Sequence, residues 1–290
     1  MNNKNKAKGL MALCMFTFGT MAPFVRNITV SSSELALYRA LLAVMLVAVF
    51  LIITKQKFDF SKIKKEFILL LISGSAMGIN WILLFEAYKY TTVSAATLSY
   101  YFAPVLVTIL SPILFKEKIT IKQIICFVMS TIGIVLITGS SMGGTQDLLG
   151  ICFGLGAAVL YAFVTLLNKF IKDVNGIQRT FIQFISAIII LLPYVLMTSG
   201  IHLDSLDFKG WISLFIIGWV HTGIIYCIYF SIIKDLKGQE VALLSYIDPL
   251  VAIFVSVICL NEMMSINQMI GGALILGFTL YSELPFKTKE

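Results

Sequence analysis

Apolar residues recur along this chain in long blocks, and polar residues gather between them. Ten blocks stand out, at approximately 9–28, 33–54, 67–88, 93–115, 121–138, 149–171, 179–198, 211–233, 240–260 and 267–284. A helix needs about 20 mainly apolar residues to cross a bilayer. It also satisfies its own backbone hydrogen bonds there, which lipid cannot do. The blocks therefore predict an all-α integral membrane protein with ten transmembrane helices. They take up most of the 290 residues and leave nothing for a soluble catalytic domain.

Within two of the blocks the pattern is interrupted in the same way. "LSYYFAPVL" spans 98–106 and "LSYIDPLV" spans 244–251. Proline removes a backbone donor from a helix, and an aspartate in lipid is costly. Sliding the chain by 145 residues places Pro104 on Pro249, Tyr101 on Tyr246, Glu117 on Glu262, Ile121 on Ile266 and Gln123 on Gln268. Ile72, Gly78, Phe85 and Lys89 meet Ile217, Gly223, Phe230 and Lys234. With a shift of 141, Gly9 meets Gly150 and Asn27 meets Asn168. Each half, 1–145 and 146–290, then holds five helices. Five is odd, so the second half inserts upside down relative to the first. The twin prolines predict a kinked helix in each half, where a kink shapes a cavity and frees carbonyls.

Charge orients the chain. With the termini cytoplasmic, every one of the 22 basic residues faces inward except Arg26, Lys89, Lys209 and the intramembrane Arg39. This is the positive-inside pattern. The loop "FKEKITIK" is lysine-rich and inside, while its counterpart "LNEMMSIN" has lost the lysines and belongs outside. The net charge of +7 is thus a membrane signal and not a nucleic-acid signal. The basic start and first apolar block could form a signal peptide. That block is long for one and has a later counterpart, so a span is expected. The composition agrees, with 59% hydrophobic and 13% charged residues, against about 45–50% and about 25% in soluble domains. The five cysteines fall inside spans and read as packing residues. Two histidines, His202 and His221, are too few for a histidine metal cluster, and no cofactor is expected.

Ten spans, two five-helix halves and the paired proline–glutamate segments resemble the drug/metabolite transporter superfamily, EamA type. "ALYRALLAV" at 36–44 is similar to that family's arginine-bearing second helix. The resemblance implies a ten-helix basket around a central cavity, worked by alternating access, with the fifth and tenth helices away from the cavity. It also favours a structural role for Arg39. Family members move amino acids, nucleotide-related metabolites, organic cations and drugs, so the resemblance leaves the substrate open.

Several polar residues inside the spans are candidates for a substrate site. Asp248 lies about eight residues, or about 12 Å, into the ninth block. It opposes Ala103 in the other half, so the fold does not require an acid there. It can carry a proton or face an amine, or it can steady the kink. His221 opposes Ala76 and can relay a proton or hold two helices together. Arg39 suits a substrate carboxylate, or pairs internally with Glu34 or Glu86. Asn80, Trp81 and Tyr100 join the candidates, and Trp81 coincides with Tyr226, as two aromatic walls of one cavity would. Tyr161 and Tyr229 could add to that lining. Tyr90 and Trp211 read as interface anchors. Glu86 reads as a gate or interface residue. Glu117 and Glu262 read as architecture, and "GSAMG" and "GICFG" as helix-packing glycines.

Inverted repeats mark secondary transporters, and no Walker motif is present. The expected function is a secondary transporter of a small amphipathic metabolite of the amino acid or organic amine class, with proton coupling left open. A multidrug or organic-cation exporter of the same fold is the alternative. A membrane-embedded lipid-modifying enzyme would need a clustered nucleophile, base or metal set, and a channel or sensor fits an inverted repeat poorly. Expected partners are a small-molecule substrate, the lipid bilayer and, if coupled, protons. No nucleic acid is expected, and the chain is expected to be a monomer or weak homodimer in the cell membrane.

Overall fold

A computed structural model describes residues 3–55, 60–116, 119–139, 144–174, 176–232, 235–236, 241 and 244–283. Glu117 and the basic residues Lys57, Lys118, Lys234, Lys237, Lys287 and Lys289 lie outside these residues. All regular structure among the described residues is helical. The first span is α1 (Asn3–Gly19) and α2 (Met21–Arg26). Then follow α3 (Ser32–Ile53), α4 (Phe60–Tyr90), α5 (Val93–Tyr100), α6 (Ala103–Phe115) and α7 (Ile121–Gly139). Next are α8 (Thr145–Asn168), α9 (Gly176–Thr198) and α10 (Phe208–Phe215). A π-helical stretch, Ile216–Ile224, leads into α11 (Ile225–Ile232). The chain ends with α12 (Ile247–Cys259) and α13 (Ile266–Glu283). Eight of the described segments are long and apolar enough to cross a membrane, and α12 and Ile266–Tyr281 are shorter apolar helices. Large apolar side chains such as Met197, Ile52 and Ile68 point outward, as a lipid-facing surface requires.

Helix ends follow from local chemistry. Ser31 and Glu34 exchange side-chain and backbone bonds in a capping box that starts α3. Thr120 with Gln123, and Ser265 with Gln268, close the same box at the starts of α7 and α13. The matched glutamines of the sequence are therefore helix caps. Lys116 and Asn261, 145 residues apart, are both left-handed, at φ 56° and 54°. The matched prolines have a similar explanation. Pro104 stands in the first turn of α6 and Pro249 in the first turn of α12. First-turn amides have no intrahelical acceptor, so a missing N–H costs little there. The expected kink falls just ahead of each proline: the helix is interrupted at Tyr101–Phe102 and at Tyr246 and then resumes.

The helices pack in reciprocal pairs. α4 lies against α8 and α9, and α3 lies against α9 and the π stretch. α1 lies against α12 and α11, α5 against α8 and α12, and α7 against α13. The main core joins Leu37, Ala40 and Val47 of α3 to Phe85 of α4 and to Phe184 and Ala187 of α9. α7 and α13 touch at Gly133 and Gly271, where a Cβ on either glycine would fall within 2.6 Å of the other's carbonyl oxygen. The glycines of "GSAMG" press on α9 and those of "GICFG" on Thr91 and Ser99, so both serve packing. The five cysteines are thiols outside any disulfide.

Candidate functional site

The break before α12 places Asp248 in the first turn of that helix. Tyr101, at the break between α5 and α6, donates its hydroxyl hydrogen bond to Asp248 Oδ2 at 2.5 Å. The end of α1 presses on the same turn. A Cβ on Gly19 would fall 2.5 Å from the Asp248 carbonyl oxygen and 2.7 Å from Val251 Cβ, so only glycine allows this approach. Tyr100 meets the Tyr101 ring edge-on at 6.1 Å and the Tyr161 ring at 5.4 Å. Asp248, Tyr100, Tyr101 and Tyr226 are half-buried although they lie in the middle of their spans, and Tyr161 is exposed. Partial exposure at mid-span is what side chains bordering an interior chamber would show, and these residues define the candidate chamber.

Arg39 of α3 is buried nearby, 3% exposed. Its Nε donates to Thr222 Oγ1 at 2.7 Å and Nη1 to Met21 Sδ at 3.6 Å. Its Cζ sits 4.5 Å from the centre of the Trp81 ring and 5.7 Å from that of Phe85. Trp81 contacts Phe184, which contacts Tyr226 in turn, at 5.6 and 5.4 Å between ring centres. Among the described residues no carboxylate pairs with Arg39. The pairing expected from the sequence is corrected, because both acids are engaged elsewhere. Glu34 accepts from Ser31, from the Tyr38 hydroxyl and from the His202 backbone amide. Glu86 faces Lys89 at 3.5 Å. A buried guanidinium without a counter-charge is expensive. Three tyrosines lie near enough to feel both groups. Tyr88 and Tyr226 interact electrostatically with both Arg39 and Asp248, and so does Tyr100.

The remaining candidates hold helices together. Asn80 donates to the Ala157 carbonyl oxygen at 2.6 Å and ties α4 to α8. His221 Nε2 lies 3.2 Å from Thr20 Oγ1, and its Nδ1 lies 3.3 Å from the Ile216 carbonyl oxygen. Thr222 bonds the Ile217 carbonyl at 2.8 Å. Both side chains reach back five residues, to the carbonyls that the i→i+5 pattern of the π stretch sets beneath them. His221 thus fastens the break in the first span to the eighth. Trp81 is buried beneath Arg39 and stands behind the lining. The structure therefore brings Arg39, Tyr100, Tyr226 and Asp248 near one another, with Trp81 against Arg39 and His221 on the Arg39 side, and engages Asn80 with α8. Tyr88 and Tyr101 are additions. Tyr101 had a signal, its match with Tyr246, but that match pointed to architecture.

At one end of the bundle the polar groups form a seal. Glu262 accepts from the Val93 amide at 2.8 Å and from the Ser256 hydroxyl, and makes an ion pair with Arg26. Ser94 donates to Ser256 at 2.8 Å. Asp147 accepts from the Thr91 hydroxyl. A separate cavity of 460 Å³ near the start of α3 is lined by Ser31, Glu34, Lys89, Ser199 and His202. Its acid is already saturated by the donors named above. At the opposite end Lys169 donates to Ser111, and Lys65 pairs with Asp173. No group of metal-ligating residues occurs among the described residues.

The pattern of the EamA-like transporter family matches residues 6–139 and again residues 148–282. An uncharacterized transporter of Bacillus subtilis (strain 168), YxxF, is 28% identical over 277 residues, covering 94% of this chain and 88% of that protein. An uncharacterized transporter of Archaeoglobus fulgidus is 28% identical over 274 residues, covering 93% of each. A solved crystal structure shares the fold with a TM-score of 0.64 at 16% identity, covering 94% of this chain and 96% of the other.

Proposed function

The chain belongs to the EamA-like transporter family, and on that premise we propose that it is a secondary transporter of a small amphipathic metabolite of the amino acid class. The observation that carries this reading is that Arg39 and Asp248, an intramembrane base and acid, share Tyr88, Tyr100 and Tyr226 as neighbours. Asp248 suits an ammonium group. Arg39, buried without a carboxylate partner among the described residues, suits a carboxylate that the substrate brings. Tyr88, Tyr100 and Tyr226 offer ring faces to the apolar or cationic parts between them. An organic-cation exporter is the second reading, favoured by the tyrosines around Asp248, but it leaves Arg39 without an anion.

The transport cycle we propose is alternating access between two inverted five-helix halves, 1–145 and 146–290, with Asp248 as the group that would carry a coupled proton. Three features support the inverted halves. The family pattern matches twice. The matched capping boxes and left-handed residues stand 145 residues apart. Packing is reciprocal, since the third span meets the sixth as the eighth meets the first, and the second meets the seventh. The lysine distribution supports cytoplasmic termini in the cell membrane.

A thermal-shift screen of the purified protein tests the substrate class. Ligands at about 100 times their Kd add about 2.7 kcal/mol of stability. Zwitterionic amino acids should stabilise the protein more than amines of the same size that lack a carboxylate. Equal stabilisation by both would favour the organic-cation reading instead.

A further inference from the structure

α5 and α12 run antiparallel and are joined at two levels. At the sealed end Ser94 bonds Ser256, and Glu262 bonds both Ser256 and the Val93 amide. At the other end of α5, Tyr101 bonds Asp248. The two levels differ in access. Ser94 and Ser256 are 1% and 0% exposed, while Tyr101 and Asp248 are half-buried and face the chamber. A ligand in the chamber can therefore reach the second junction and not the first. The carboxylate is also the group to which an ammonium would bind, and the Tyr101 hydroxyl occupies one of its oxygens. In the other half Ala103 stands where Asp248 stands here, so the repeat does not duplicate this carboxylate.

We propose that Tyr101 is a positioning residue that latches α5 to α12 through Asp248, and that the ammonium group of a bound substrate opens the latch by replacing the tyrosine on the carboxylate. The second half of this statement rests on the proposed function; the first half does not. Opening the latch leaves α5 and α12 held by the serine and glutamate junction and by apolar packing of Ile253 against the cluster of Ala95 and Leu98, which lowers the barrier to parting the sealed end. Substrate binding is thereby linked to movement of the helix pair that closes the chamber.

The test is thiol labelling of purified protein in detergent. Thr97 is 3% exposed and lies one turn before Tyr101 on the same helical face. It becomes the reporter as Thr97→Cys, in a chain whose five native cysteines are replaced by alanine. A maleimide should label this position slowly. Tyr101→Phe should raise the rate about tenfold, the low end expected for losing a hydrogen bond to a charged group. Asp248→Ala breaks the same bond from the other side and should do the same. The double variant should label no faster than either single one, as groups acting through one bond require. Tyr194→Phe, which removes an exposed phenol on α9 outside the site, should leave the rate unchanged. A mixture of L-leucine, L-threonine and L-phenylalanine should accelerate labelling in the parent and have no further effect on Tyr101→Phe. Parental rates in both Tyr101→Phe and Asp248→Ala, with monodisperse protein, would overturn the latch. Faster labelling in both variants without any response to the amino acids would overturn the ligand-driven half and leave the latch standing.

Discussion

Replacing Arg39 by methionine should separate stability from function. The change removes the bond to Thr222, worth about 1.5–3 kcal/mol for a charged donor, and the stacking on Trp81, worth about 2 kcal/mol when desolvated. Thr222 is not orphaned, because its hydroxyl still donates to the Ile217 carbonyl. Against these losses stands the penalty of a buried ion with no carboxylate beside it among the described residues, several kcal/mol per ion. Methionine keeps an unbranched apolar stem and fills much of the same space. The two sides nearly cancel, with the balance between no change and about 2 kcal/mol in favour of the variant. At roughly 2–4 °C per kcal/mol, the unfolding temperature should stay level or rise by a few degrees. Affinity for a carboxylate-bearing ligand should fall at least about a hundredfold, since about 3 kcal/mol of charged hydrogen bonding is lost. Thermal unfolding in detergent, with and without an amino acid that stabilises the parent, reads both quantities. A variant that unfolds at least about 5 °C lower yet still binds would refute the reasoning and make Arg39 a structural residue.

Asp248→Asn tests the other pole by flux into liposomes with and without an imposed pH gradient. If Asp248 carries a coupled proton, pH-driven accumulation should vanish while exchange down the substrate gradient survives; if it binds an amine, affinity should fall and pH dependence should remain. Trp81→Phe weakens the ring face beneath Arg39 and should lower affinity by about 0.5–1 kcal/mol, or a few fold. Trp211→Phe, where the tryptophan stacks on Phe215 at 5.9 Å, should leave affinity unchanged in the same binding assay.

The helical blocks were legible because lipid permits few alternatives: each backbone group must be satisfied inside its own segment. The matched Pro, Glu and Gln were legible as a pattern, and the structure supplies their causes. Gln123 and Gln268 cap helices, Pro104 and Pro249 sit where a helix needs no donor, and Glu262 joins three segments. A proline signals that a helix is interrupted but not whether it bends or restarts, so the restart at Tyr246 needed coordinates. The partners of buried polar residues were harder to read. Asn80 meets a carbonyl 77 residues away and His221 a hydroxyl 201 residues away, contacts set by long-range packing. The π stretch at Ile216–Ile224 carries no plain sequence mark, yet it decides where Thr222 meets Arg39. Arg39 was visible as an intramembrane charge. That both neighbouring acids are engaged elsewhere was not.

As proposed, this chain carries a zwitterion between Asp248 and Arg39. Counterflow in proteoliposomes tests it most directly. Vesicles holding the purified protein are loaded with unlabelled amino acids, and entry of the same amino acids in labelled form is followed beside entry of matched amines without a carboxylate. The account predicts transient accumulation of at least one amino acid, no accumulation of its decarboxylated amine, and loss of the amino acid signal in both Arg39→Met and Asp248→Asn. Accumulation of the amine to the same level, undiminished in Arg39→Met, would contradict it.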